Sequence, residues 1–412
     1  MINQGDTAWL LVSSALVLLM TPGVAFFYSG LVASRNVINT INMSFICLAV
    51  IPLIWAIVGF SLVFSPGNSF IGGFEWVGLA GVGNTVNGAA GVPQYAFMAF
   101  QMMFAVITPA LISGAIVGRM KFKPYVLFVA LWSLLVYVPI AHWVWGPGGW
   151  LAAMGVLDFA GGTVVHMNAG FAALVAAIIL GPRVKGKSPV SETPHNVPLV
   201  VLGASLLWFG WYGFNAGSAI TAGELASLAF VTTTLATSAC ITTWTILNWL
   251  RGNPSSAVSK STAAVVGLVA ITPAAGYVTP LGAIALGCLA AIFCYTAMVY
   301  RSKWLRHVDD TLDVFICHGL GGLIGALLTG VFATKTVNQA GADGLLYGNP
   351  GQLWNQVIGV SATIVTTLVG TALILFVLKL FMHIRPTAVE EQLGIDVAEH
   401  GESAYNDKSE RL

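Results

Sequence analysis

Two stretches of this chain place an aspartate and a histidine eight residues apart inside apolar sequence. They read DFAGGTVVHMNAG at 158–170 and DTLDVFICHGLGG at 310–322. Imidazole can donate, accept and carry a proton near neutral pH, and ionisable residues in membrane helices usually face a bundle interior or a pathway. We therefore predict that His166 and His318, each about two turns inside its helix, form one functional pair. The alternative is two separate core histidines, each bonded to its own neighbours.

The two aspartates stand where the predicted helices begin. A carboxylate at this position can accept hydrogen bonds from free backbone N–H groups and complement the helix dipole. Asp158 and Asp310 are therefore predicted to support their helices structurally. A second interpretation, compatible with the first, is that they keep the path of a cationic substrate electrostatically negative.

Aromatic residues form a second group with helical spacing. Phe100 and Phe104 lie one turn apart, Phe214 and Ser218 lie four residues apart on one helix face, and Trp145 ends an apolar run. Core packing or an interfacial aromatic belt would explain each aromatic residue taken alone. Taken together, their ring faces could attract a cation.

The composition excludes a soluble protein. Of the 412 residues, 57% are hydrophobic and only 8% are charged, whereas a soluble chain has about 25% charged residues. The chain is therefore predicted to lie in a lipid bilayer. With a net charge of +1 and no basic patch, it is not expected to bind nucleic acid. The five cysteines form no CxxC pair and are predicted to be small buried hydrophobes, and no metal or cofactor is expected.

Eleven apolar runs are long enough to cross a bilayer, so we predict an all-α, polytopic membrane protein with eleven transmembrane helices. The first helix is predicted to be retained, because no basic residue precedes it as in a cleaved signal peptide. The predicted spans are 8–31, 40–64, 94–118, 124–145, 159–181, 197–219, 225–250, 261–278, 281–300, 311–333 and 354–384.

The basic residues support this count. With eleven spans, 16 of the 17 Lys and Arg residues fall on one side of the membrane, and only Lys335 falls on the other. The positive-inside rule then places the N-terminus outside the cell membrane and the C-terminal tail in the cytoplasm. The tail, 385–412, holds seven of the 16 acidic residues. It is predicted to be a cytosolic segment, solvated or docked onto the loops, that follows a membrane domain of 1–384.

The two Asp-His stretches also indicate an internal repeat. The first opens predicted helix 5 and the second opens predicted helix 10, and a glycine follows each histidine by four residues. Because five helices, an odd number, separate the stretches, helices 1–5 and 6–10 would have opposite orientations. Transporters often place a site at the interface of such inverted repeats, near the membrane midplane.

The chain resembles the ammonium transporter (Amt/Mep/Rh) family, on its bacterial and archaeal Amt side. The resemblance runs nearly end to end. It is carried by TPGVAFFYSGL at 21–31, IAHWVW at 140–145, DFAGGTVVH at 158–166, GFNAGSA at 213–219, VDDTLDVFICHG at 308–319 and GIDVAEHGESAYND at 394–407. The DFAGGTVVH and GFNAGSA stretches are the most specific of these.

The resemblance implies a homotrimer of eleven-helix protomers with the ammonium transporter fold, each with its own pore. It implies an outer ammonium site of Trp145, Phe104 and Ser218, a gate of Phe104 stacked on Phe214, and Asp158 as a support of the outer site. The residues it implies along the pore are His166, His318, Val24, Phe27, Tyr28 and Val314. It further implies a tail that contacts the cytosolic loops and, in many members, couples to a PII signal protein.

The chain departs from the family at one site residue. Members usually have a tryptophan followed by three glycines, whereas this chain reads WGPGGW at 145–150, one residue longer. Trp150 is therefore an alternative contributor to the outer site beside Trp145.

Physical chemistry suggests how such a chain would select its substrate. Ammonium and potassium have similar size and charge, but only ammonium donates hydrogen bonds and can lose a proton. We expect ammonium to be recruited, deprotonated near the phenylalanine gate and conducted as ammonia past the histidines. Transport is then electrogenic if the proton follows along the imidazoles, which the family analogy favours, and electroneutral if the chain is a gas channel. An ammonium sensor that acts through a partner is a further alternative. An intramembrane serine hydrolase using Ser218 and a haem-binding carrier are disfavoured, and no enzymatic activity is expected.

Overall fold

The computed structural model describes residues 2–83, 86, 91–184 and 193–405. Over these ranges the chain is helical, with two isolated β-bridges and no β-strand, which confirms the all-α prediction. We number the membrane helices α1 to α11 in chain order. Their bounds are Gln4–Leu31, Ser34–Phe64, Gln94–Ile116, Phe122–Ala153, Gly162–Leu180, Val197–Ala216, Glu224–Leu250, Ala257–Ile271, Pro280–Trp304, Phe315–Phe332 and Pro350–Phe381.

Ten of these eleven helices are long and apolar enough to cross a membrane. The remaining helix, α8, has only 15 residues. It spans Ala257–Ile271, so it begins and ends earlier than the predicted span of 261–278. The early end has a local cause. Pro273 has no backbone N–H to donate to a carbonyl one turn back, so the helical hydrogen-bond pattern cannot continue through it, and turns follow α8 instead.

Both histidine helices begin later than predicted. α5 begins at Gly162 and α10 at Phe315, not at 159 and 311. His166 and His318 therefore lie in the first turns of their helices, and the prediction that they lie about two turns inside is wrong. The reason is that each aspartate binds N–H groups three to six residues further on, so the backbone must turn before the helix starts.

Close backbone packing brings α5 and α10 together. A Cβ atom added to Gly170 would lie 2.0 Å from the backbone N of Gly319, and one added to Gly322 would lie 2.9 Å from the backbone N of Met167. Each repeat glycine thus packs against the residue that follows the other repeat's histidine. This reciprocal contact is what an inverted repeat predicts, and only glycine allows backbones to approach so closely.

The tail packs against the end of the bundle where α4 begins. The Asp396 carboxylate accepts the backbone N–H groups of Ile38 and Asn39 at 2.9 and 2.8 Å, and Glu399 accepts the N–H of Phe122 at 3.1 Å. We call this the tail end, and we call the opposite end, where α4 reaches Trp145, the tryptophan end. Four of the basic residues counted on the cytoplasmic side in the sequence prediction lie outside the described ranges: Lys185, Lys187, Lys408 and Arg411.

Candidate functional site

Three helices carry π-helical turns at the residues singled out from the sequence. His166 lies in the turn Gly162–Met167, Phe214 in Tyr212–Ala216 and His318 in Phe315–Leu320. A π-turn inserts one extra residue and redirects the side chains around it, and such turns are frequent at functional sites. The described residues also have π-turns at Trp55–Gly59, Ser133–Tyr137 and Asp396–His400, away from these side chains. The backbone is therefore irregular where the three side chains meet.

The two repeat histidines form a direct pair. Their Nδ1 atoms lie 3.3 Å apart and their rings are nearly parallel, with centroids 5.4 Å apart. Because an N–H···N bond needs one donor and one acceptor, the pair holds one shared proton between the two Nδ1 atoms when both rings are neutral. Both rings are buried, and Nε2 of His166 has no hydrogen-bond partner among the described residues. That atom can serve a small hydrogen-bonding molecule.

Trp211 packs against one face of the His166 ring. The two rings are stacked with centroids 5.0 Å apart and an interplanar angle of 20°. The Trp211 indole donates its N–H to Thr272 Oγ1 at 2.9 Å, which fixes the plane of the indole. The sequence analysis missed Trp211, although its position three residues before Phe214 places both on one face of α6.

A line of aromatic rings connects the histidines to the tryptophan end. Phe214 packs on His166 at a centroid distance of 5.5 Å and on Phe104 at 4.3 Å. Phe104 in turn meets the edge of Trp145 at 5.9 Å, and Phe100 packs on Phe104 at 4.9 Å. Phe104 and Phe214 are almost fully buried. The two rings therefore fill the space between Trp145 and the histidines.

Trp145 and Ser218 are the partly exposed members of the tryptophan end. The Trp145 indole donates its N–H to the backbone carbonyl of Asp158 at 3.0 Å, and Ser218 Oγ donates to the carbonyl of Phe214 at 2.8 Å. The hydroxyl oxygen of Ser218 is left free to accept. Trp150 packs instead on Trp143, at a centroid distance of 5.7 Å, so it is Trp145 that lies against Phe104.

The two aspartates bind the starts of α5 and α10 in matching ways. Asp158 accepts the backbone N–H groups of Gly161 to Val164, at 2.7 to 3.2 Å, and the hydroxyl of Thr163. Asp310 accepts those of Val314 and Phe315 at 3.1 and 2.7 Å. Each carboxylate therefore satisfies N–H groups that the helix leaves unpaired.

Four further residues implied by the resemblance, Val24, Phe27, Tyr28 and Val314, are all buried. The Tyr28 ring and a Val314 methyl group both pack onto Gly114, where an added Cβ would lie 2.6 and 2.7 Å from them. Tyr28 also donates its hydroxyl to the carbonyl of Leu111 at 3.1 Å. Tyr28 and Val314 thus meet below the histidines, on the side of the tail end.

Charged groups gather at the tail end. Arg119 is fully buried and donates to the carbonyls of Ala115 and Asp309. Arg183 forms a two-point ion pair with the Asp309 carboxylate, with both contacts at 2.8 Å. Burial alone would raise the pKa of Asp309, but the hydrogen bonds from Arg183 and the charge of Arg119 hold it below the ordinary value of an aspartate.

No group of three or more His, Cys, Asp or Glu side chains in the described part of the chain could hold a metal ion. The site offers paired imidazoles, aromatic rings, a hydroxyl and backbone groups. The fold and site together define a class: a polytopic helical membrane protein whose two inverted halves join at a buried histidine pair.

The chain belongs to the Ammonium Transporter Family, whose family model matches residues 8–405. It is 46% identical over 406 residues to an ammonium transporter of Bacillus subtilis, covering 98% of this chain and 99% of that one. It is 50% identical over 408 residues to an ammonium transporter of Aquifex aeolicus, covering 98% and 94%. Its structure resembles that of Saccharomyces cerevisiae Mep2 with a TM-score of 0.88 and 35% identity, covering 94% and 90% of the chains.

Proposed function

We propose that this protein carries ammonium across the cell membrane by recruiting the ion at the tryptophan end, removing a proton and conducting ammonia past the histidine pair. The observation that carries the proposal is the 3.3 Å contact between the Nδ1 atoms of His166 and His318, which lies next to the buried ring line. The ammonium transporters of Bacillus subtilis and Aquifex aeolicus support the choice of substrate.

Recruitment uses the groups that the tryptophan end leaves available. The indole N–H of Trp145 is already bonded to Asp158, so Trp145 offers its ring face to a cation, and the buried ring of Phe104 lies directly against it. Ser218 has donated its hydroxyl hydrogen to Phe214, so its oxygen accepts a hydrogen bond. Ammonium can donate that bond and potassium cannot, which favours ammonium over an ion of similar size.

The next step is deprotonation at the Phe104–Phe214 gate. A bare charge near the bilayer centre costs at least about 2.5 kcal/mol, and the buried rings offer it no hydrogen bonds. Neutral ammonia avoids this cost. Nε2 of His166, which has no partner in the described residues, forms a hydrogen bond with the passing molecule. The remainder of the pore is lined by Val24, Phe27, Tyr28 and Val314.

The released proton follows along the imidazole pair and rejoins ammonia at the tail end, so transport is electrogenic. The shared Nδ1···Nδ1 contact supports this step, because it gives the proton a path from one ring to the other. The competing function is an electroneutral gas channel, in which the proton stays on the side of the tryptophan end.

The tryptophan end faces outward, and the tail end, with the tail of 385–412, lies in the cytoplasm. Three copies form a homotrimer in which each protomer keeps its own pore within its membrane domain of 1–384. The tail packs on the starts of α2 and α4 through Asp396 and Glu399, which supports a regulatory role and a surface there for a PII signal protein.

The proposal is tested with purified protein in liposomes. An ammonium pulse should produce an inward current, and a potassium pulse of the same concentration should produce none. A change of internal pH without current would contradict electrogenic transport and support the electroneutral gas channel. Neither a current nor a pH change, with protein shown to be inserted and folded, would contradict the transport proposal.

A further inference from the structure

Helix α11 stands outside the inverted repeat and places two buried glutamines beside the loop that precedes Asp158. Oε1 of Gln356 accepts the backbone N–H of Leu157 at 2.7 Å, and its Nε2 donates to the Leu157 carbonyl at 2.8 Å. The same Nε2 donates to the carbonyl of Ala326 in α10 at 2.9 Å. Gln352 donates to Oε1 of Gln356 at 3.2 Å and to the Gly155 carbonyl at 2.8 Å.

The Gln356 amide is fully satisfied. It has two N–H donors and two acceptor lone pairs, and all four are used, with the side chain only 1% exposed. Glutamate of the same shape lacks the two donors, and asparagine is one methylene shorter. A buried polar group with every bond made fixes its neighbours in one arrangement, so this position demands glutamine.

Leu157 is the residue through which Gln356 acts on the tryptophan end. It directly precedes Asp158, whose carbonyl accepts the Trp145 indole and whose carboxylate binds the start of α5. Because Gln356 forms hydrogen bonds with both the N–H and the carbonyl of Leu157, it sets the position of Asp158 and therefore of the Trp145 ring. Its third bond ties this loop of the first repeat to α10 of the second.

The equivalent place in the second repeat is held by different chemistry. There Asp309 precedes Asp310 as Leu157 precedes Asp158. Arg119 donates to the Asp309 carbonyl and Arg183 binds the Asp309 carboxylate. The tail end is thus anchored by two cations and the tryptophan end by a neutral amide. A cation anchored beside an ammonium-recruiting site would repel the substrate.

We propose that Gln356 is a positioning residue that holds Trp145 and Asp158 in their recruiting arrangement without adding positive charge to the tryptophan end. The inference rests on the proposed function and deepens it. Gln356 touches no substrate. Replacing Gln356 should therefore weaken ammonium recruitment and should not slow the passage of ammonia along the histidines.

The test compares Gln356→Met, which keeps size and loses all four bonds, with the control Thr371→Val. Thr371 accepts the Trp132 indole N–H at 3.0 Å, so the control also removes one buried bond of α11, about 22 Å along the helix. Ammonium-dependent current in liposomes and thermal unfolding in detergent are measured for both. Gln356→Met should raise the half-saturating ammonium concentration about fivefold or more and leave the maximal current within about twofold. Thr371→Val should lower thermal stability and leave half-saturation unchanged.

Gln356→Lys tests the charge. In folded protein it should raise half-saturation beyond the value of Gln356→Met. An equal half-saturating ammonium concentration in Gln356→Lys and Gln356→Met would contradict the charge part of the proposal. The positioning role would be contradicted by an unchanged half-saturating concentration in Gln356→Met. It would also be contradicted by a rise of the same size in Thr371→Val. Wild-type protein with neither an ammonium current nor a change of internal pH would contradict the proposed function instead, so the two failures are distinguishable.

Discussion

The indole N–H of Trp145 donates to the backbone carbonyl of Asp158 at 3.0 Å. This bond joins the residue that begins the ring line to the residue that binds the start of α5, and His166 lies in the first turn of that helix. The tryptophan end and the histidine pair are therefore parts of one rigid arrangement. A change at Asp158 must affect both.

Asp158→Asn should destabilise the protein and lower ammonium flux. The amide keeps one acceptor oxygen, but its NH₂ group faces backbone N–H donors that the carboxylate now satisfies. Losing charge-assisted bonds at a buried site costs about 1.5–3 kcal/mol. Thermal unfolding in detergent and flux in liposomes measure the two effects. Asp6→Asn is the control, because it removes the charge from a half-buried acceptor of the Ala222 N–H. An equal loss of stability in both variants would contradict the role of Asp158.

Gly170→Ala should separate α5 from α10 and abolish the histidine contact. The new Cβ would lie 2.0 Å from the backbone N of Gly319, and no side-chain movement can relieve a clash with backbone. We expect a large loss of thermal stability, or loss of folded protein, together with loss of flux. Gly282→Ala in α9 is the matched control, because its Cβ would have only ordinary contacts, the nearest at 3.4 Å. Folded Gly170→Ala protein with normal flux would show that the close packing is not needed.

The ion pairs of Asp309 should make part of the stability depend on pH. Its pKa is held below that of an unfolded aspartate by Arg183 and Arg119, against the effect of burial. A lowered carboxyl pKa contributes stability above the unfolded value, about 3.9, and loses it as the pH falls through the folded pKa. The melting-temperature difference between wild type and Asp309→Asn should therefore be full near neutral pH and shrink in acid. Glu224→Gln, at an exposed position, is the control. A difference that stays constant, or grows as the pH falls, would contradict this assignment.

The spacing of a few residues predicts much of this structure. The Asp-His-Gly repeat indicates the inverted halves, and it leads to the two helices that the reciprocal contacts of Gly170 and Gly322 bring together. The starts of α5 and α10 are misplaced, because an aspartate that binds N–H groups several residues ahead does not itself begin the helix.

Other contacts cannot be read from a single sequence. The spacing of Trp211 and Phe214 places both on one face of α6, but the stack of Trp211 on His166 depends on how α6 crosses α5. Gln356 lies on a helix without a repeat counterpart, and the two backbone groups of Leu157 that it binds are 199 residues away in the chain. Tertiary contacts of this kind follow from packing and not from local pattern.

The central claim is that the histidine pair conducts ammonia and excludes ions that cannot lose a proton. The most direct test is the current of His166→Ala protein in liposomes after ammonium and potassium pulses, with His307→Ala, an exposed histidine, as the control. We predict that His166→Ala loses the selective ammonium current, or passes potassium as well, while His307→Ala behaves as wild type. An ammonium current of unchanged size and unchanged selectivity in His166→Ala would contradict it.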